Sequence, residues 1–339
     1  MKNRIAVCFF SVFLFIGIAF SAFAQQEDLR NIQKGVKGFS EGISKAIPFN
    51  SLVGLNWSDA YIGKIFPGAP PHFGAGISLG ATTMDPSSIK TLAGYLDADI
   101  PDISILPIPA YTVEARLGGF SLPFDIGFKF GYLPSNVLPI EDINLDYLLV
   151  GGDIRYAVID GVENKALPNV SVGFGVNYLR GGIGAKMGDA QTINYNYSGA
   201  NYKIDLEKPD VNLQWNTVSL ELKAQISKTI AIITPYFGVG GSYSFSNAGY
   251  SVDAKVKING GDVTQAQIND INQSLINNGL DPIDITKDRI SSFIDKNAFN
   301  LRAFGGISLN LAAFRMDLTG LFNVLDQNFG ATLGLRFQL

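Results

Sequence analysis

The last eleven residues, Phe329–Leu339, constrain this chain more than any other stretch. They read F-G-A-T-L-G-L-R-F-Q-L. Ala331, Leu333, Leu335, Phe337 and Leu339 share one face, and Thr332, Gly334, Arg336 and Gln338 share the other. Alternation of this kind puts successive side chains on opposite faces of a strand. One face is wholly apolar, while the other carries a charge and an amide. A soluble sheet hides such a face under a second layer. A strand in a membrane leaves it bare.

Composition favours the second case. The chain has 339 residues, 47% hydrophobic, 12% aromatic and only 17% charged, with 37 glycines. Soluble domains carry about 25% charged residues. The net charge of −4 is too small to imply a nucleic-acid partner.

Residues 1–24 read as a secretory signal peptide, with Lys2 and Arg4 ahead of the apolar run Ile5–Phe20 and an Ala22-Phe23-Ala24 cleavage site. An uncleaved membrane anchor is the alternative. The only cysteine, Cys8, lies inside the apolar run. A chain cleaved after Ala24 therefore has no disulfide and no thiolate metal site. Beyond the leader no run of about 18 apolar residues occurs. The nearest candidate, Thr229–Val252, contains Pro235 and four glycines, and its apolar residues alternate, so it reads as a strand pair. An exported apolar chain without a spanning helix satisfies its backbone in lipid only as a closed barrel.

The expected organisation is a leader over 1–24, an amino-terminal helical plug or periplasmic segment over 25–66, and an all-β transmembrane antiparallel barrel over 67–339. Leu29, Ile32, Val36, Phe39, Ile43 and Ile47 recur at helical spacing, which predicts an amphipathic helix over 28–47. Plugging the lumen is its first expected role; lying on the inner leaflet or capping the periplasmic mouth are the others.

Ten strands of period two are expected near 72–83, 110–118, 122–133, 145–158, 168–181, 210–227, 230–247, 298–311, 313–323 and 329–339, and eight to twelve fit the pattern. Outward faces include Phe124, Ile126, Phe128 and Phe130, and Val218, Leu220, Leu222 and Ala224. Tyr111, Tyr132, Tyr156, Tyr178, Trp215, Phe245 and Phe299 are expected in interfacial girdles. Short links after the second, fourth, sixth and eighth strands alternate with links of tens of residues after the first, fifth and seventh. That is the outer-membrane arrangement, with short turns periplasmic. A soluble β-sandwich is the alternative. Within the long links, Asp85–Asp97, Thr264–Asn277 and Ile283–Asp295 read as helices, with Thr264 and Gln267 as a capping box. Tyr250–Ile258 alternates and should extend the wall outward. Tyr195, Tyr197 and Tyr202 are expected to brace an extended hairpin, with a recognition surface as the other reading.

The inward face carries acids at Glu114, Asp125, Asp153, Glu221 and Asp317, and bases at Arg116, Lys129, Arg155, Lys223, Arg302, Arg315 and Arg336. Buried charges must pair, so these residues are expected to line a salt-bridged lumen. A slightly basic conduit for a polar or anionic solute is the competing reading. Small inward residues, among them Gly74, Gly76, Gly173, Gly238 and Gly240, leave room for something to lie against the wall. The single histidine, His72, follows Pro70-Pro71 at a strand edge and has no nucleophile partner in the pattern. No phosphate loop, metal spacing or nucleotide fingerprint occurs. No catalysis, cofactor or metal is expected.

A leader, a helical segment, about ten alternating strands and an F-x-L end together resemble the bacterial outer-membrane β-barrels. Within that group the helix before the first strand and the helical insertions are similar to the layout of the fatty-acid transporter FadL and its hydrocarbon-uptake relatives. The chain departs from that family in having fewer than its fourteen strands and no Asn-Pro-Ala start to the helical segment. Asn56-Trp-Ser-Asp-Ala-Tyr-Ile-Gly63 followed by Pro70-Pro-His-Phe-Gly74 is similar to segments of uncharacterised spirochaete outer-membrane proteins. These resemblances imply outer-membrane lipid and the barrel assembly machinery as partners. They also imply passage of small hydrophobic or amphipathic solutes. A narrow water-filled channel and a structural or adhesive surface protein acting through its loops are the alternatives.

Overall fold

The computed structural model describes residues 26–339 except 66–71, 88–89, 91–103, 134–142, 165, 187–190, 198–199 and 278–281. The expected leader and most of the helix expected over Asp85–Asp97 lie outside the described residues. Ten antiparallel strands close into a barrel: β1 (Phe73–Met84), β2 (Leu106–Gly118), β3 (Phe124–Leu133), β4 (Ile143–Ile159), β5 (Asn169–Lys186), β7 (Ala200–Ser227), β8 (Ile233–Ile258), β11 (Arg289–Leu311), β12 (Phe314–Asn323) and β13 (Asn328–Gln338). β13 pairs with β1, from Gly74↔Gln338 to Thr82↔Gly330, so the carboxy-terminal strand sits beside the first. Pairing of β8 with β11, from Arg289↔Asp253 to Leu309↔Ile233, completes the ring.

The wall keeps the two faces read from the sequence. Leu79, Phe128, Phe174, Leu222, Leu318 and Leu333 point out and are exposed, while their neighbours on each strand point in and are buried or half-buried. Each exposed apolar side chain gains its favourable environment from lipid, and closure of the ring gives every wall strand a neighbour on both sides.

Strand lengths are uneven. A spanning strand needs about 9–11 residues, yet β7, β8 and β11 run for 28, 26 and 23. Their excess stands beyond the long-link end of the barrel and is covered by the hairpin strand β6 (Gln191–Tyr197), the short strands β9 (Gly261–Asp262) and β10 (Asp284–Ile285), and helix α2 (Gln265–Asn277). Ile271 and Leu275 of α2 pack on Leu206, Val252, Val256 and Ile290 in a separate small core. Thr264 caps the helix, its backbone N–H and hydroxyl both donating to Gln267 Oε1 at 2.9 Å. Tyr195 pairs with Tyr202 across the β6–β7 hairpin.

Ile283–Asp295 is not the helix its sequence suggests. It contributes β10 and the start of β11, because Arg289–Asn297 pairs along the outward extension of β8. Backbone pairing with a waiting strand edge outweighs a weak helical pattern. Trp215 is also misplaced by the girdle reading: it alternates with Leu213 and Thr217 on the inward face and is buried.

Candidate functional site

Helix α1 (Gln26–Ser51) enters the lumen at the long-link end. Phe39, Ile43 and Ile47 pack against Met84, Leu106, Leu179 and Trp215, in the half of the wall nearest that end. Pro48 lies in the last turn, and the helix stops at Ser51. The chain then descends as an irregular segment from Leu52 to Ile62, buried throughout. Gly54, at φ +85°, turns it against the wall, where a Cβ would meet Thr112 Oγ1 at 2.7 Å and Glu114 Oε1 at 2.9 Å. Only glycine fits there.

An irregular backbone at membrane depth must find its hydrogen bonds elsewhere. Here the wall supplies them. Leu55 N–H donates to Glu114 Oε2 at 2.9 Å, Ala60 N–H to Ser227 Oγ at 2.9 Å, and Ile62 N–H to Asp125 Oδ2 at 3.1 Å. Lys129 Nζ donates to the carbonyls of Ser51 (2.8 Å) and Val53 (2.6 Å). Gln225 donates to the Trp57 carbonyl at 2.7 Å, and Arg155 to the Asp59 carbonyl at 2.7 Å. Trp57 donates through Nε1 to Glu114 Oε2 at 2.6 Å. Its ring lies between Arg116 (5.6 Å) and Arg336 (4.6 Å), and Gly74 makes room for it, since a Cβ there would stand 2.9 Å from the indole.

The twelve inward charges fall into linked groups around this segment. Arg116 bridges Asp125 (2.6 Å) and Asp153 (2.7 Å), Arg155 holds Asp125 (2.8 Å), and Lys223 reaches Asp153 (2.6 Å). On the other side Arg302 pairs with Glu221 at 2.5 Å and donates to Asn56 Oδ1 at 3.0 Å. Arg336 pairs with Asp317 at 2.6 Å. Arg315 is the least buried of the twelve.

Asp59 was not among the residues read from the sequence. Its carboxylate takes Arg336 at 2.8 Å and Arg315 at 3.2 Å. A signal for it existed. The wall alone has two more bases than acids, and Asp59 is the only acid between Pro48 and Lys64. His72 stands just outside the barrel at the other end, its carbonyl accepting from Gly118 N–H at 3.0 Å. Burial lowers its pKa, opposed by Asp160 and by a backbone contact with Leu339.

Above the charged layer lies a chamber of different character. An apolar cavity of about 150 Å³ sits between α1 and the outer halves of β2, β3, β4, β5 and β7, bordered by Phe39, Ile43, Ile108, Tyr147, Leu179 and Trp215. Asn50 Oδ1, Tyr147 Oη and Trp215 Nε1, all on bordering residues, have no hydrogen-bond partner among the described residues. Unfilled polar groups of this kind are common where water or a ligand completes the set.

Among the described residues the two sides of β2 are paired to different lengths. β2 pairs with β1 from Leu117↔Phe73 to Leu106↔Met84, and with β3, whose described residues end at Leu133, from Val113↔Phe130 to Gly118↔Asp125. Pro107 and Pro109, in the half of β2 beyond its described pairing with β3, have no N–H to give. Tyr111 shares the outward face with Val113 and Ala115, yet it borders the chamber, and its ring centre is 5.6 Å from that of inward Tyr147. The chamber therefore reaches the wall at this seam.

No family model and no curated protein matches the chain. Solved structures that overlap it are bacterial outer-membrane barrels. The toluene transporter TbuX of Ralstonia pickettii is 10% identical over 80% of this chain and 90% of its own, with a TM-score of 0.27. The outer-membrane protease OmpT of Escherichia coli is 10% identical over 80% and 98%, with a TM-score of 0.39. A FadL homologue of Pseudomonas aeruginosa is 8% identical over 83% and 96%, at 0.23. Overlaps this loose are to barrels in general and carry no functional weight.

Proposed function

We propose that the chain resides in a bacterial outer membrane and passes small hydrophobic molecules across it by way of the apolar chamber. The observation that carries this reading is an apolar cavity that meets the wall where the described pairing of β2 with β3 ends. An engineered cavity of about 150 Å³ with apolar walls admits benzene, so a molecule with a single ring is the matching size. The polar atoms of Asn50, Tyr147 and Trp215 that lack a partner among the described residues leave room for one small hydrogen-bonding group on it.

The lower lumen supports the same reading by closing the other route. An apolar molecule descending the axis would meet Phe49–Ile62 and the buried ion pairs, and would have to desolvate them. The seam offers a path between chamber and lipid without that cost. A water-filled channel draws little support from a lumen so occupied.

The test is calorimetric titration of the detergent-solubilised protein with toluene. Saturable binding is expected, and Leu179→Trp, which fills the chamber from β5, should abolish it while leaving heat-modifiable gel migration intact. Absence of binding to the unaltered protein overturns the proposal. Equal binding by Leu179→Trp moves the site elsewhere.

A further inference from the structure

We infer that the chain threads its own barrel from outside inward, presenting the amino-terminal part of α1 at the cell surface. This goes beyond solute passage and does not depend on it.

The order of contacts fixes the direction. Lys37 and Glu41 border a polar groove of about 650 Å³ with Asp284, Ser292 and Asp295, on the extensions that stand beyond the long-link end. Phe39 and Ile43 follow, packed on Leu179 and Trp215. Asn50 Nδ2 then reaches Thr82 Oγ1 at 2.9 Å, and Ser51 Oγ lies 3.0 Å from Ser219 Oγ. Ala60 meets Ser227 at the foot of β7, and Ile65 N–H donates to the Gly119 carbonyl, in the β2–β3 turn, at 2.8 Å. From Phe39 onward every step is nearer the short turns than the last.

The helix has thirteen residues before Phe39, Gln26–Gly38, which at 1.5 Å per residue amounts to about 20 Å of helix. They lead away from the lumen on the side where α2 and the extended strands stand. Short turns are the periplasmic side of outer-membrane barrels, so the start of α1 belongs to the external face. The barrel then has a second capacity besides its chamber. It delivers the segment ahead of Phe39 to the surface, where that segment and the outer core form one accessible region. Loops alone do not make up the exposed face of this protein.

Site-directed labelling tests this in the full chain, carried in a Cys8→Ser background so that each introduced thiol is the only one. Asn269→Cys on α2 marks the long-link end, Glu163→Cys in the β4–β5 link marks the short-turn end, and Lys37→Cys is the query. Each is treated on intact cells with a membrane-impermeant biotin maleimide, then again after the outer membrane is permeabilised, with heat-modifiable migration confirming a folded barrel. Lys37→Cys should react on intact cells as Asn269→Cys does, while Glu163→Cys should react only after permeabilisation. Reaction of Lys37→Cys only after permeabilisation overturns the inference. So does reaction in neither state while the denatured protein labels fully, or an exchange of the two markers.

Discussion

Asp59→Asn is the most discriminating change in the lumen. The carboxylate is buried and shared by Arg336 at 2.8 Å and Arg315 at 3.2 Å. Asparagine keeps the shape and one acceptor but removes the charge. Arg336 would retain Asp317, whereas Arg315 would be left with Asn310 Oδ1 at 3.0 Å. Removing one partner of a fully buried pair costs about 3–5 kcal/mol, but here Arg336 keeps Asp317 and the half-buried Arg315 keeps Asn310, so the cost is that of a lost charged hydrogen bond, about 1–3 kcal/mol. The segment Phe49–Ile62 carries Asp59, so that cost falls on its seating. At 1.36 kcal/mol per factor of ten, the unseated fraction should rise by about fivefold to about 150-fold. Single-channel recording in planar bilayers reads this directly. The unaltered protein should be almost silent, and Asp59→Asn should show frequent brief openings. Arg315→Gln combined with Asp59→Asn should recover part of the loss, since both members of one pair are then gone. Silent records from Asp59→Asn, with unchanged thermal unfolding, would refute the idea that this charge seats the segment.

Three further outcomes follow from the same geometry. Deleting Asp28–Ile47 should leave conductance low, because Leu52–Ile62 fills the lumen below the helix; extending the deletion through Ile62 should open it, and a large current from the shorter deletion alone would contradict the account. Lys129→Met should lower the temperature at which the folded band is lost on gels, since the Ser51 and Val53 carbonyls lose their donor, at about 1–3 kcal/mol for each unsatisfied group; an unchanged transition would show those contacts to be idle. Leu333→Arg, outward at mid-strand in β13, should cost about 2–4 kcal/mol in lipid-vesicle folding equilibria, and no loss would mean that this face does not meet lipid.

The wall was legible in the sequence because its signal is strictly periodic. Phe124–Phe130 and Leu333–Leu339 alternate without interruption, and lipid on one side with a polar lumen on the other leaves a single register for them. The outer extensions were less legible. Arg289–Asn297 has no strong local preference and becomes strand only because β8 offers an edge. Trp215 was misjudged for being aromatic near a strand end, although its own alternation with Thr217 and Ser219 places it inward. The twelve inward charges could be named individually, yet their partners could not. Arg116 meets Asp125 and Asp153 through strand register, but Arg336 meets Asp59 only because a segment without periodicity runs down the lumen. The chamber was out of reach for the same reason. It exists because α1 lies against one part of the wall and not another, which no residue pattern encodes.

A small apolar molecule that occupies the chamber and reaches the membrane beside β2 should be traceable by a smaller probe of the same character. Crystals pressurised with xenon test it most directly, since xenon fills dry apolar cavities of this size and shuns wet ones. A xenon peak is expected within Ile43, Ile108, Tyr147 and Leu179, with further density between Tyr111 and Leu133 at the seam. A chamber holding ordered water and no xenon would contradict it.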